Sequence, residues 1–202
     1  RFKNLYLTFN GKGAERYYEA EKFHFGKILQ ENTKLQGCTK LSLYGCFLDV
    51  AVNGLSFDPS MRHLYMVPYK HKVTYKDQGV TKERWEERAQ VQISGTGELL
   101  LRMKQGQIKY ADNPVLVYEG DIFKSGTRNN AVYLEHEANY PRNENAPIIA
   151  CYIKITRNDD TVDYKVLTMG ELMKIRAFSK DPNSKAWTDG LPGMFQTKTI
   201  KH

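Results

Sequence analysis

A chain of 202 residues with 41% hydrophobic and 26% charged side chains can bury one sizeable core, which excludes a fibrous or disordered class and reads as a single domain over residues 1–202. No apolar run is long enough to span a membrane and no signal-peptide pattern opens the sequence, so no membrane partner is expected. A net charge of +7 and a pI near 9.2 favour a polyanionic partner, because each phosphate neutralised by Lys or Arg releases counterions.

Cys38, Cys46 and Cys151 are odd in number and lack CxxC spacing, which argues against a disulfide framework or zinc site and for a reducing, cytoplasmic compartment. The chain opens at Arg1 without Met and closes on the basic TKTIKH, so both ends read as cut from a longer protein with a C-terminal part missing.

In chain order, LYLTF (Leu5 to Phe9) predicts a short strand. Ala14 to Gln30 predicts a helix with Ala14, Tyr18, Phe25, Ile28 and Leu29 on one side. A second helix, about Thr39 to Val52, has Thr39 placed to cap it and Leu41, Tyr44, Leu48 and Val52 at helical spacing as its core stripe. GLSFDP (Gly54 to Pro59) is a turn leading into HLYMVPYK, a strand by the alternation of Leu64, Met66 and Pro68, with its aromatics read as sheet core. His71 to Arg88 reads as a charged, solvated connection with six Lys and Arg (counting Lys70) against four acids, in which TKERWEER forms a helical turn or extends a hairpin. Val91 and Ile93 continue a second strand, Gly95 and Gly97 allow a sharp passage, and a short helix then sets Leu99, Leu100 and Met103 to one side with Arg102 and Lys104 free.

From Gln107 to Val166 the pattern is β throughout, with turns at GDIFKSGTRNN, PRNENAP and Asn158 to Asp160, so a meander of antiparallel strands is expected. A helix from Thr168 to Ser179 follows, with capping-box spacing at Thr168 and Glu171 and with Leu172, Ile175 and Phe178 inward. SKAWTDGLPGMFQTKTIKH closes the chain as a loop and the start of another helix. Sheet with helices grouped against it is α+β.

The enzyme motifs are few. No GxxxxGK[ST], GxSxG or HExxH is present, and His24, His63, His71, His136 and His202 are scattered. Glu135, His136 and Glu137 alternate on a strand, which turns His136 away from the two carboxylates. Asp163-Tyr164-Lys165 has the acid-x-Lys spacing of Mg²⁺-dependent nucleases, with Asp121 as the acid that would complete it. Against this stands a binding reading: Arg102, Lys104, Lys154, Lys165, Lys174, Arg176, Lys198 and Lys201 lie on elements with an apolar anchor face and together form a plausible phosphate track.

The order of GLSFDP, YMVPYK, QISGTGELLLRMKQGQIK and VLVYEGDIF, from about Phe23 to His202, resembles the RecT family of phage single-strand annealing proteins. ELMKIR is similar to that family's basic helix after the sheet, which implicates Lys174 and Arg176. SKAWTDGLPGMFQTKTIKH is similar to its Trp segment, methionine and KT-x-I-[KR] motif, which matches Trp187, Met194, Lys198 and Lys201, with Trp187 read as a core or subunit-interface anchor ahead of a base-stacking ring. Gln90 and Gln92 match its glutamine-bearing strand, whereas SGTG lacks the aromatic and Lys common in the family's turn. The resemblance implies a bent antiparallel sheet packed against helices, a RecT/Redβ-like annealing-protein core. It also implies ATP-independent binding and annealing of single-stranded DNA in phage recombination, with no covalent chemistry. No cofactor is required, Mg²⁺ being at most a modulator. The expected partners are single-stranded DNA, the annealed duplex intermediate, further copies in a ring or helical filament, and a phage exonuclease, in the cytoplasm of a bacterial host. The alternatives are the nuclease and a basic phage assembly protein.

Overall fold

A computed structural model of the chain describes residues 2–201 apart from 12, 142 and 144, and apart from the side chain of Phe2; His202 lies outside the described residues. The fold is α+β, with antiparallel sheets packed against helices, and divides into two compact units at residues 97 and 98.

The first unit opens with α1 (Phe2–Asn10), α2 (Glu15–Glu31), α3 (Thr33–Gln36) and α4 (Lys40–Asn53). LYLTF is therefore helical, not a strand. A five-residue apolar run satisfies either period, and here packing decides. Tyr6 meets the Tyr18 ring edge-on at 5.5 Å, and the Asn10 amide donates to the carbonyls of Tyr6 (3.0 Å) and Ala51 (3.2 Å), fastening α1 to α4. Phe25, Phe47 and Phe57 close the centre with ring centroids 5.1 to 5.8 Å apart.

Thr39 caps α4 as expected, its hydroxyl accepting from the Ser42 amide, and Gly54 ends the helix in the left-handed region at φ 58°. The stripe chosen on α4 is the wrong one. Leu41 is 82% exposed and Val52 54%, while Cys46, Phe47, Val50 and Ala51 are buried. The helix is apolar on two faces, so periodicity alone cannot tell which face the ribbon and α1 will take.

One buried carboxylate organises the turn that follows. Glu21 on α2 accepts the Ser56 hydroxyl at 2.5 Å and the Phe57 amide at 2.7 Å, and the Ser56 amide donates to His63 Nδ1 at 3.1 Å. GLSFDP is thus tied to α2 on one side and to the start of the next strand on the other.

That strand, β1 (Leu64–Asp77), pairs in register with β2 (Val80–Ile93) through Leu64↔Ile93, Met66↔Val91 and Pro68↔Ala89, as the alternation requires. The charged stretch extends the hairpin over 14 residues per strand. The two-residue turn at Gln78 and Gly79 has φ of 48° and 81°, the geometry that matches strand twist. Lys72 pairs with Glu83 at 2.6 Å and Lys82 with Asp77 at 2.7 Å; such exposed pairs contribute about 0–1 kcal/mol each, so the ribbon is anchored at its base. There α4 covers the outer edge of β2, Ala89 N donating to Ser42 Oγ (2.9 Å) and Thr39 N to the Glu87 carbonyl (2.9 Å).

Helix α5 (Gly95–Lys104) begins directly after Ser94. Gly97 is needed for space: a Cβ there would lie 2.2 Å from the His63 carbonyl oxygen.

The second unit carries β3 (Tyr110–Ala111), β4 (Val115–Tyr118), β5 (Ile122–Arg128), β6 (Ala131–Glu137), β7 (Ile148–Thr156) and β8 (Val162–Thr168). Every ladder is antiparallel, and β3, β4 and β8 all pair with β7 while β5 and β6 form a separate hairpin. GDIFKSGTRNN is mostly strand; its turn shrinks to Asn129 and Asn130, with φ of 52° and 62°.

Helices α6 (Met169–Ala177), α7 (Lys185–Thr188) and α8 (Leu191–Lys201) cover the sheet around Cys151, Leu167, Leu172, Trp187 and Phe195. The Thr168–Glu171 capping box is complete. Phe178 is 92% exposed, not inward: it is the C-cap residue of α6, still right-handed at φ −87° but past the helix's last packed turn. No described helix is long and apolar enough to cross a membrane.

All three cysteines are free and buried, and burial pushes the Cys46 and Cys151 thiols up to about 11. Thiol titration at pH 8 is expected to count them only after denaturant is added. Three fast thiols in the native chain would contradict this packing.

Candidate nucleic-acid interface

In the first unit, Gln90 and Gln92 stand exposed on β2, two residues apart and so on one face. Each is held by a ring on β1. The Gln92 amide donates to the Tyr69 hydroxyl, and the Gln90 amide nitrogen lies 3.0 Å from His71 Nε2.

In the second unit the predicted cations fall into groups. Arg102, on the last turn of α5, pairs with Glu98 at 3.3 Å and raises the local potential at Lys165 on β8. Burial first, and Arg102 second, hold the Lys165 ammonium below its ordinary pKa. Lys198 on α8 behaves likewise, lowered by burial and then by Lys201 one helical turn away. Its Nζ lies 5.8 Å from the centroid of the Trp187 ring. Among the described residues neither Lys165 nor Lys198 has a carboxylate partner. A cation without a carboxylate partner, as Lys165 and Lys198 are, is where an arriving phosphate gains most.

The rest of the set is dispersed. Lys154 pairs across strands with Tyr164, whereas Lys165 pairs with Ile153, so the two lysines lie on opposite faces of the sheet. Lys154 lies 3.9 Å from Asp112 beside a cavity of about 260 Å³. Arg176 Nε donates to the Pro182 carbonyl at 2.7 Å, a bond that shapes the α6 exit, while Lys174 and Lys104 are exposed. Trp187 is only 3% exposed and donates through Nε1 to Ser179 Oγ at 3.0 Å; stacking a base on it is precluded, and its indole instead floors Lys198. Among the phosphate candidates, then, Lys165 with Arg102 and Lys198 with Lys201 are the pairs the fold brings together.

A model of the RecT family matches residues 24–202, starting where the order of motifs begins to resemble it. The chain belongs to the RecT family. Protein RecT of Escherichia coli (strain K12) is 24% identical over 169 residues, a stretch covering 83% of this chain and 58% of that protein. The chain therefore spans little more than half the length of that RecT relative.

For a RecT-family chain the nuclease geometry is poor. Asp163 is paired with Arg157 at 2.7 Å. Asp121 is buried beneath His136 (3.2 Å) and accepts the Tyr118 and Asn139 amides at 2.9 Å. Among the described residues no three His, Cys, Asp or Glu side chains gather as a metal would require. His136 does turn away from Glu135 and Glu137, which stay exposed. Sequence reasoning missed Glu21, and it missed the rings facing Gln90 and Gln92. The second signal was present: counting back from the Gln78–Gly79 turn sets Tyr69 and His71 opposite Arg88 and Glu86, next to the glutamines.

Proposed function

We propose that this chain binds single-stranded DNA without sequence preference and anneals complementary strands, needing no ATP and making no covalent bond. The observation that carries the reading is the crowding of cations at Lys165–Arg102 and Lys198–Lys201 in a RecT-family chain of net charge +7. Two strands approach each other against phosphate repulsion; a protein that cancels it and holds the backbones aligned lowers the entropic cost of pairing, and pairing itself drives the reaction. Further copies of the chain in a ring or filament would extend the contact along the strand, and an exonuclease would supply the single strand, in the cytoplasm of a bacterial host. Mg²⁺ would modulate and not catalyse.

The test mixes two dye-labelled complementary oligonucleotides with the chain, in EDTA and then in Mg²⁺, without ATP. Faster annealing in both, with strands intact, is the expected outcome. Strands shortened only in Mg²⁺ would return the function to Asp163 and Lys165. Multimers that leave annealing unaltered would point to an assembly protein.

A further inference from the structure

The long ribbon carries more than the two glutamines. In an antiparallel pair, directly opposed residues share a face. On one face Met66 and Ala89 are buried at the base. The other face is open there: Tyr65 is 62% exposed, and Gln92, directly opposite it, is exposed too. Tyr65 was expected in the sheet core, but its ring stands exposed, while Val67, Tyr69, His71 and Val73 further along the same face are half-buried.

Along β1 this face continues through Val67, Tyr69, His71, Val73 and Tyr75, so that three further rings are interleaved with two valines. Across from these rings β2 sets Arg88, Glu86 and Lys82, and Gln90 and Arg84 share the face opposite Val67 and Val73. A solvated sheet face is ordinarily polar, so a row of rings on one has a cost that some other interaction must offset.

The rings are also fixed in place. Tyr69 and His71 are held by the two glutamines. The Arg84 guanidinium lies 5.4 Å from the Tyr75 ring centroid, and Glu86 grips it through Nε (2.9 Å) and Nη2 (2.6 Å) while also holding Arg88 at 3.2 Å. Planar groups pre-set beside cations suit a ligand that alternates flat apolar faces with negative charge. An unpaired nucleic-acid strand has that chemistry: bases stack on rings and guanidinium planes, and phosphates meet the cations. A duplex does not, because its base faces are already covered by one another. An apolar protein partner would leave Arg84, Arg88 and both glutamines desolvated without gain.

We propose that the open face of the β1–β2 ribbon is a base-stacking platform for single-stranded DNA, with Tyr65 as its most accessible ring. The platform deepens the annealing reading and rests on it: it would hold a strand only while its bases are unpaired, so pairing releases them.

The experiment measures binding of the whole chain to dye-labelled oligo(dT) and to an abasic oligonucleotide of equal length, which keeps the phosphates but offers no bases. Wild type is expected to prefer oligo(dT). Tyr65→Ala should weaken oligo(dT) binding by about five- to 150-fold, the range for one lost stacking contact, with abasic binding and the salt slope unchanged. Tyr65→Phe, which keeps the ring, should restore the preference. Equal weakening on both probes, or none on either, overturns the platform. Wild type that binds neither probe overturns the annealing reading itself.

Discussion

Glu21→Ala is expected to lower the stability of the chain by about 3 kcal/mol, read as a fall in the urea midpoint with little change in slope. The side chain is 8% exposed and accepts two hydrogen bonds from the GLSFDP turn, one of them from the buried amide of Phe57. Alanine leaves that amide without an acceptor and widens the open pocket that already lies beside Tyr6 and Leu55, so the desolvation penalty of the amide carries most of the loss. Glu21→Gln keeps one acceptor oxygen and should lose about half as much. The effect reaches the ribbon: the turn presents Ser56 to His63, and the His63 carbonyl takes the Ser94 amide and packs on Gly97. A Glu21→Ala chain as stable as wild type would mean that the turn holds its shape without the carboxylate.

The double variant Lys165→Gln, Lys198→Gln is expected to bind single-stranded DNA about a hundredfold more weakly, on the order of tenfold for each charged contact removed. The salt dependence should flatten by roughly 1.4 in the slope of log K against log salt, about 0.7 for each of two phosphates. The folded chain should not suffer. Burial lowers both ammonium pKa values, so the charged forms are disfavoured by folding, and stability tied to these groups rises as pH climbs through their lowered values. Neutral glutamine at position 165 therefore leaves the thermal midpoint unchanged or higher, while at position 198 the lost contact with the Trp187 ring offsets the gain. Lys124→Gln, which removes an exposed lysine near Glu135, serves as control and should leave binding as it was. Unchanged affinity and slope in the double variant would remove both lysines from the phosphate track.

Local chemistry made part of this protein legible without coordinates. The Thr39 and Thr168 caps, the Leu64–Ile93 alternation, the antiparallel hairpins and the α+β class each depend on residues close in sequence, whose spacing states a period or a hydrogen bond directly. The order of motifs likewise led to the RecT family, which the match over residues 24–202 establishes.

The choices that failed were between alternatives of equal local merit. α4 offers two apolar faces, LYLTF satisfies strand and helix alike, and Phe178 lies one residue past a helix end. For the site, sequence could count cations but not their neighbours. Only the fold shows that Lys154 and Lys165 face opposite ways, that Lys198 lies over the Trp187 ring, and that Glu21 holds a turn 35 residues away. Residue type and spacing determined which elements form. Which faces are buried, and which charges stand without a partner, was decided by long-range packing, because burial and electrostatic environment are properties of neighbours that the chain brings together only once it is folded.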